Sequence, residues 1–131
     1  MTVSHAEANA KTLANEAIRS GNGESFRVLS KSGDHRISVG VRLGEASRMV
    51  FFLEVLVYLC PSATRHGIQL VRLKAKLRLV EELSARGYSL NCEDGGCISC
   101  EAVLSSRRLA SEATGVMSLV QAILEKTEAS S

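Results

Sequence analysis

The run from Met49 to Cys60, MVFFLEVLVYLC, constrains this chain more than any other segment. It is apolar at odd and even positions alike, Glu54 is its one interruption, and Pro61 closes it. A helix needs about 20 residues to span a bilayer, and this run is too short. The rest of the chain must therefore cover it. Its Val, Phe and Tyr content reads as a central β-strand covered on both faces, since a strand with one wet face would alternate. A buried helix fits the same pattern, because periodicity does not separate the two over so short a stretch.

The flanking sequence is more regular. Ser4-His5-Ala6-Glu7 has the spacing of a capping box, and Ala6, Ala10, Leu13, Ala14, Ala17 and Ile18 recur at helical intervals until Gly21. Phe26 to Leu29 reads as a short strand, followed by a turn at Ser32-Gly33-Asp34. Ile37, Val39, Val41 and Leu43 then alternate with Arg36, Ser38, Gly40 and Arg42, as in a half-buried strand. From about Ile68 to Arg86 strong helix formers dominate, and Gly87 ends them. At about 100° per residue, Leu70, Leu73, Leu77 and Val80 form one stripe. Ile68, Ala75, Leu79 and Leu83 form another, with Arg72 and Lys76 on its edge. A helix lying on a sheet needs one stripe. The second, Ile68, Ala75, Leu79 and Leu83, needs a second partner.

Tyr88 to Leu104 is a hairpin around Glu93-Asp94-Gly95-Gly96. A two-residue Asp-Gly turn would set Cys92 opposite Cys97 and mix polar with apolar residues on both faces. A three-residue turn gathers Leu90, Cys92, Ile98, Cys100, Ala102 and Leu104 on one face, and burial of one face fixes register. Leu109, Ala113, Val116, Val120 and Ile123 step by four and three in a closing helix, and residues 127–131 form a polar tail expected to fray. The order is α-β-β-β-α-β-β-α, with no repeats or linkers. It specifies a single α+β domain over 1–131, a five-stranded antiparallel sheet with helices packed on it. One small N-terminal helix does not cover a whole face of the central strand. Val50, Phe52, Leu56 and Tyr58, which share one parity, are therefore the candidate partner surface.

Composition excludes several function classes. Sixteen Lys and Arg against fourteen Asp and Glu leave a formal charge of +2, and Trp is absent. Neither a basic footprint nor a stacking platform for bases is present, so nucleic acid is not an expected partner. Arg65, Arg72, Lys74, Lys76 and Arg78 read as a solvated face or an interface rim. The opening MTVSHAEANAKTL lacks the basic and apolar regions of a signal peptide, so a soluble, cytoplasmic protein with reduced thiols and no membrane contact is expected.

Cys92, Cys97 and Cys100 have the spacing of three iron–sulfur or zinc ligands, with Cys60 or His66 as the available fourth. A small metal-binding protein is therefore the alternative reading. The chosen hairpin register opposes it by sending Cys97 to the other face from Cys92 and Cys100, which leaves two small core thiols and an exposed one. No cofactor is expected. Glu93, Asp94 and Glu101 beside Cys97 disfavour a thiolate, so it is not read as a nucleophile. His5, His35 and His66 show no ligand spacing and read as surface residues.

The element order, and above all the passage Leu77 to Leu104, LRLVEELSARGYSLNCEDGGCISCEAVL, resembles the type III secretion chaperone fold and the related YbjN-like proteins. In that family too, a leucine-rich helix leads through a small break, a strand and an acidic-glycine turn to a second strand. Ser84-Ala85-Arg86-Gly87 stands where the family often has Asn, and Ser105-Ser106-Arg107-Arg108 where a Pro-containing link is usual. The resemblance implies a non-enzymatic, homodimeric protein that binds polypeptides over apolar strips. It also implies self-association through the second helix or the neighbouring sheet, which makes Ile68, Ala75, Leu79 and Leu83 the expected dimer contact.

Overall fold

The computed structural model describes residues 12, 15–19, 23–44, 48–59, 66–93 and 96–125, with the side chains of 66–69, 92–93 and 125 outside the description. Five strands are present: β1 (Glu24–Lys31), β2 (His35–Leu43), β3 (Met49–Tyr58), β4 (Ser89–Glu93) and β5 (Cys97–Leu104). They pair in the order β1-β2-β3-β5-β4, every neighbour antiparallel. Residues 12 and 15–19 are helical (α1). Helix α2 spans His66–Ala85, and α3 spans Ser106–Val120 before a π-helical turn at Gln121–Glu125. The chain is an α+β fold with the expected element order.

The apolar run is thus a strand, and it lies at the centre of the sheet. Leu53, Val55 and Val57 point to one face, with Ile37, Val39 and Val41 of β2 and Cys100 of β5 beside them. There they meet Ala17 of α1, Leu79 and Leu83 of α2, and Leu109, Ala113 and Val116 of α3 in one cluster. Each large side chain so buried contributes about 1.5–3 kcal/mol. All the described helices feed this face. The other face of β3 receives none of them, a correction to the expectation of cover on both sides.

A second correction concerns α2. Ala75, Leu79 and Leu83 are 7%, 0% and 0% exposed, so this stripe is spent on the chain's own core and offers nothing to a second copy. The side chain of Ile68 lies outside the described residues. Outward-facing instead are Leu70, Val71 and Leu77. The wheel shows two apolar stripes but carries no information on which one the sheet will take.

The end of α2 follows from a single glycine. Gly87 has φ +94°, and the amides of Gly87 and Tyr88 donate to the carbonyls of Ser84 (3.0 Å) and Leu83 (3.1 Å), a Schellman closure. Tyr88 turns back into the core beside Leu83. In the hairpin Glu93 pairs with Cys97 and Leu90 with Cys100, the register of the three-residue turn. Ser105 caps α3 by accepting from the Arg108 amide at 3.2 Å. The closing helix buries Leu109, Ala113, Val116, Val120 and Ile123 as its stepping required, but Ile18 of α1 is exposed. The proposed capping box at Ser4 and the tail 127–131 lie outside the described residues.

Urea unfolding separates the two stripes of α2. Leu79→Ala is expected to cost about 2–5 kcal/mol, and Leu77→Ala no more than about 0.5 kcal/mol; equal losses would contradict the assignment. Gly87→Ala should cost about 1–2 kcal/mol from the left-handed backbone alone, because an added Cβ meets nothing within 4 Å.

Candidate functional site

Register places the residues of the helix-free face in cross-strand rows. Phe26 of β1 lies opposite Gly40 of β2, Gly40 opposite Phe52 of β3, and Phe52 opposite Val103 of β5. The missing side chain at Gly40 makes room for the Phe52 ring, which a Cβ there would meet at 2.4 Å. Phe26 and Val103, at the two ends of the row, are 62% and 61% exposed. Of the anticipated partner residues, Val50, Phe52, Leu56 and Tyr58 do share this face. Val50, Phe52 and Tyr58 are half-buried, whereas Leu56 is buried beneath its neighbours and presents little surface.

The adjoining row runs from the exposed Val28 through the polar Ser38, Glu54 and Glu101. Glu54 and Glu101 stand directly opposite each other, a placement that would repel without compensation. Arg42 donates to Glu101 at 2.8 Å and sits 4.9 Å over the Phe52 ring. Arg36 approaches Glu54 at 3.8 Å, and the Ser99 hydroxyl donates to Glu54 at 3.2 Å. The hydrogen bond to Glu101 raises the Arg42 pKa against some burial, with the charges of Glu101, Glu24 and Glu54 adding to it. The two facing carboxylates are therefore answered within this face, although the buried Arg36 Nε has no hydrogen-bond partner.

Sequence reasoning missed a second constellation. Arg72 and Lys76, read as solvated or rim residues, are drawn inward, and Lys76 is only 4% exposed. Both bind the Asp34 carboxylate in the β1–β2 turn, Lys76 at 3.1 Å and Arg72 by a short ion pair. Arg72 also donates to the Leu124 carbonyl at 2.6 Å. Partial burial pushes the Asp34 pKa up, but hydrogen bonds and charge from Arg72 and Lys76 outweigh it and hold the carboxyl below its ordinary range. Beside it His35 is buried, with Ser32 Oγ 3.0 Å from Nδ1 and Ser30 Oγ 3.3 Å from Nε2, a correction to its reading as a surface residue. The edge position of Arg72 and Lys76 on the Leu79 stripe was the available signal; their partner lies far back in the sequence.

The two cysteines whose side chains are described, Cys97 and Cys100, do not come together as a site. Along β5, Cys97 pairs with Tyr58 on the helix-free face and Cys100 with Val55 on the core face. Burial raises the Cys100 pKa to about 11, so its thiol stays protonated. Among the described residues no group of three or more His, Cys, Asp and Glu side chains could hold a metal ion. The side chains of Cys60, His66 and Cys92 lie outside that description.

A cleft of about 310 Å³ opens between the α2–β4 connection and the start of α3. Tyr88 donates to Glu112 at 3.3 Å there, and Arg108 to the same carboxylate at 3.4 Å. Burial, then the Glu112 charge, pushes the Tyr88 pKa far above its ordinary value. These groups satisfy one another and leave no poised acid or base. None of the described helices is long and apolar enough to cross a membrane. No protein-family model, curated protein or solved structure matches the chain.

Asp34 makes stability depend on pH in a definite direction. Its pKa is lower folded than unfolded, so its contribution is complete above about pH 5 and is lost as pH falls through the folded value. Asp34→Asn should cost about 3 kcal/mol at neutral pH by leaving two cations unpaired, and should flatten the acid limb of stability measured by urea unfolding. An unchanged acid limb would show that the carboxyl does not carry it.

Proposed function

We propose that this chain is a non-enzymatic, chaperone-like module that acts as a homodimer and binds a polypeptide partner on the helix-free face of its sheet. The observation that carries the reading is the row Phe26, Phe52 and Val103, an apolar strip that no described helix covers. Arg42 and Glu101 beside it are paired at 2.8 Å, and Glu54 accepts from Ser99 with Arg36 3.8 Å away, so a partner covering the strip meets carboxylates that are already answered. An extended segment suits this surface better than a small molecule does. The strip lies across four strands on the helix-free sheet face, whereas ligand pockets are concave and enclosed. Rigid strands beneath it keep the ordering cost of binding on the partner.

A displayed library of dodecapeptides tests the reading. Enriched peptides should carry apolar side chains, and Val103→Ser should weaken their binding about tenfold. Val103 is well exposed, so the variant should keep the thermal midpoint of the parent. No enrichment, or binding indifferent to Val103→Ser, would overturn the assignment of this face.

A further inference from the structure

Strand β1 ends the sheet, and among the described residues no strand pairs with its outer edge. It is eight residues long and free of proline, whereas β4 at the opposite end has only five. A long edge with exposed apolar side chains is a template for another strand. Here Phe26 and Val28 are both exposed, on the helix-free face.

The register between β1 and β2 shifts between Val28 and Ser30, so Leu29 is the extra residue of a bulge and turns into the core. With Leu29 set aside, the ladder positions read Glu24, Ser25, Phe26, Arg27, Val28, Ser30 and Lys31. Glu24, Phe26, Val28 and Lys31 lie across from Arg42, Gly40, Ser38 and Arg36, on the helix-free face. Ser25, Arg27 and Ser30 lie across from Val41, Val39 and Ile37, on the core face. Run antiparallel against itself about Arg27, this series is self-complementary. Glu24 meets Lys31, Ser25 meets Ser30 and Phe26 meets Val28, and in every pair both residues belong to the same face. Parallel pairing would instead set Glu24 against Glu24 and Lys31 against Lys31. The like charges at the centre are already answered, since each Arg27 is held by its own Glu16 at 2.8 Å.

We infer that two copies of this chain associate through antiparallel β1–β1 pairing centred on Arg27, joining two five-stranded sheets into one. The inference rests on the homodimeric reading above and supplies its interface. It also brings Phe26 and Val28 of both copies together between the two Phe52 rings, so that each apolar strip continues into the next.

Sedimentation equilibrium of the full chain tests the pairing through charge exchange. The parent should be a dimer. Glu24→Lys and Lys31→Glu should each raise the dimer dissociation constant about tenfold, since each turns two cross-strand attractions into repulsions. The double variant, with the charges exchanged, should return to within about twofold of the parent. Both positions are exposed; Lys31→Glu should keep the thermal midpoint of the parent, and Glu24→Lys, which sets a cation across from Arg42, should lower it slightly. A dimer that ignores either single change, or is not rescued by the double, overturns β1 pairing and leaves self-association to another surface. A monomeric parent overturns the pairing and the homodimeric reading together, while peptide binding still reports separately on the sheet face.

Discussion

The ion pairs of Asp34 with Arg72 and Lys76 govern how α2 sits on the sheet. Both cations flank the stripe of Ala75, Leu79 and Leu83, and the carboxylate that holds them lies in the turn between β1 and β2. Tying that edge of the helix to the end of the sheet rolls Leu79 and Leu83 inward. Arg72 extends the same contact to the Leu124 carbonyl, close to the end of the π-helical turn after α3. The negative end of that helical segment helps to answer the second cation. One half-buried carboxylate thereby ties together the β1–β2 turn, α2 and, through Arg72, the closing helix.

With α2 and α3 held on one side, the sheet is asymmetric. Leu53, Val55 and Val57 on the core face of β3 are fully buried, and no described helix covers the apolar row on the opposite face. Two carboxylates facing each other across β3 and β5 would weaken that region if left alone. Arg42, Arg36 and Ser99 answer them, and Arg42 also lies over the half-buried Phe52 ring, between the exposed Phe26 and Val103. The surface available to a partner is thus a consequence of helix placement together with charge pairing inside the sheet.

Much of this was legible from residue order. Alternation at Ile37, Val39 and Val41 fixed β2, the doubly apolar run fixed a central element, and burial arithmetic selected the hairpin register that pairs Glu93 with Cys97. The shared parity of Val50, Phe52, Leu56 and Tyr58 correctly put them on one face. Other features depend on long-range geometry that local patterning does not carry. Both α2 stripes are rich in apolar residues, and the choice between them turns on Asp34, which precedes the helix by two strands. Phe26 and Val103 escaped notice because their link to Phe52 exists only through pairing across β1, β2, β3 and β5. Leu56 satisfied the parity rule but is buried beneath its neighbours, which parity does not report.

Carbene footprinting of the full chain, alone and saturated with an enriched dodecapeptide, is the most direct test of where a partner docks. Loss of labelling at Phe52 and Val103, with Leu70 and Leu77 on the outer side of α2 unchanged, is the expected result. Protection of Leu70 and Leu77 with the sheet face still labelled would place the partner on the helix and contradict the assignment.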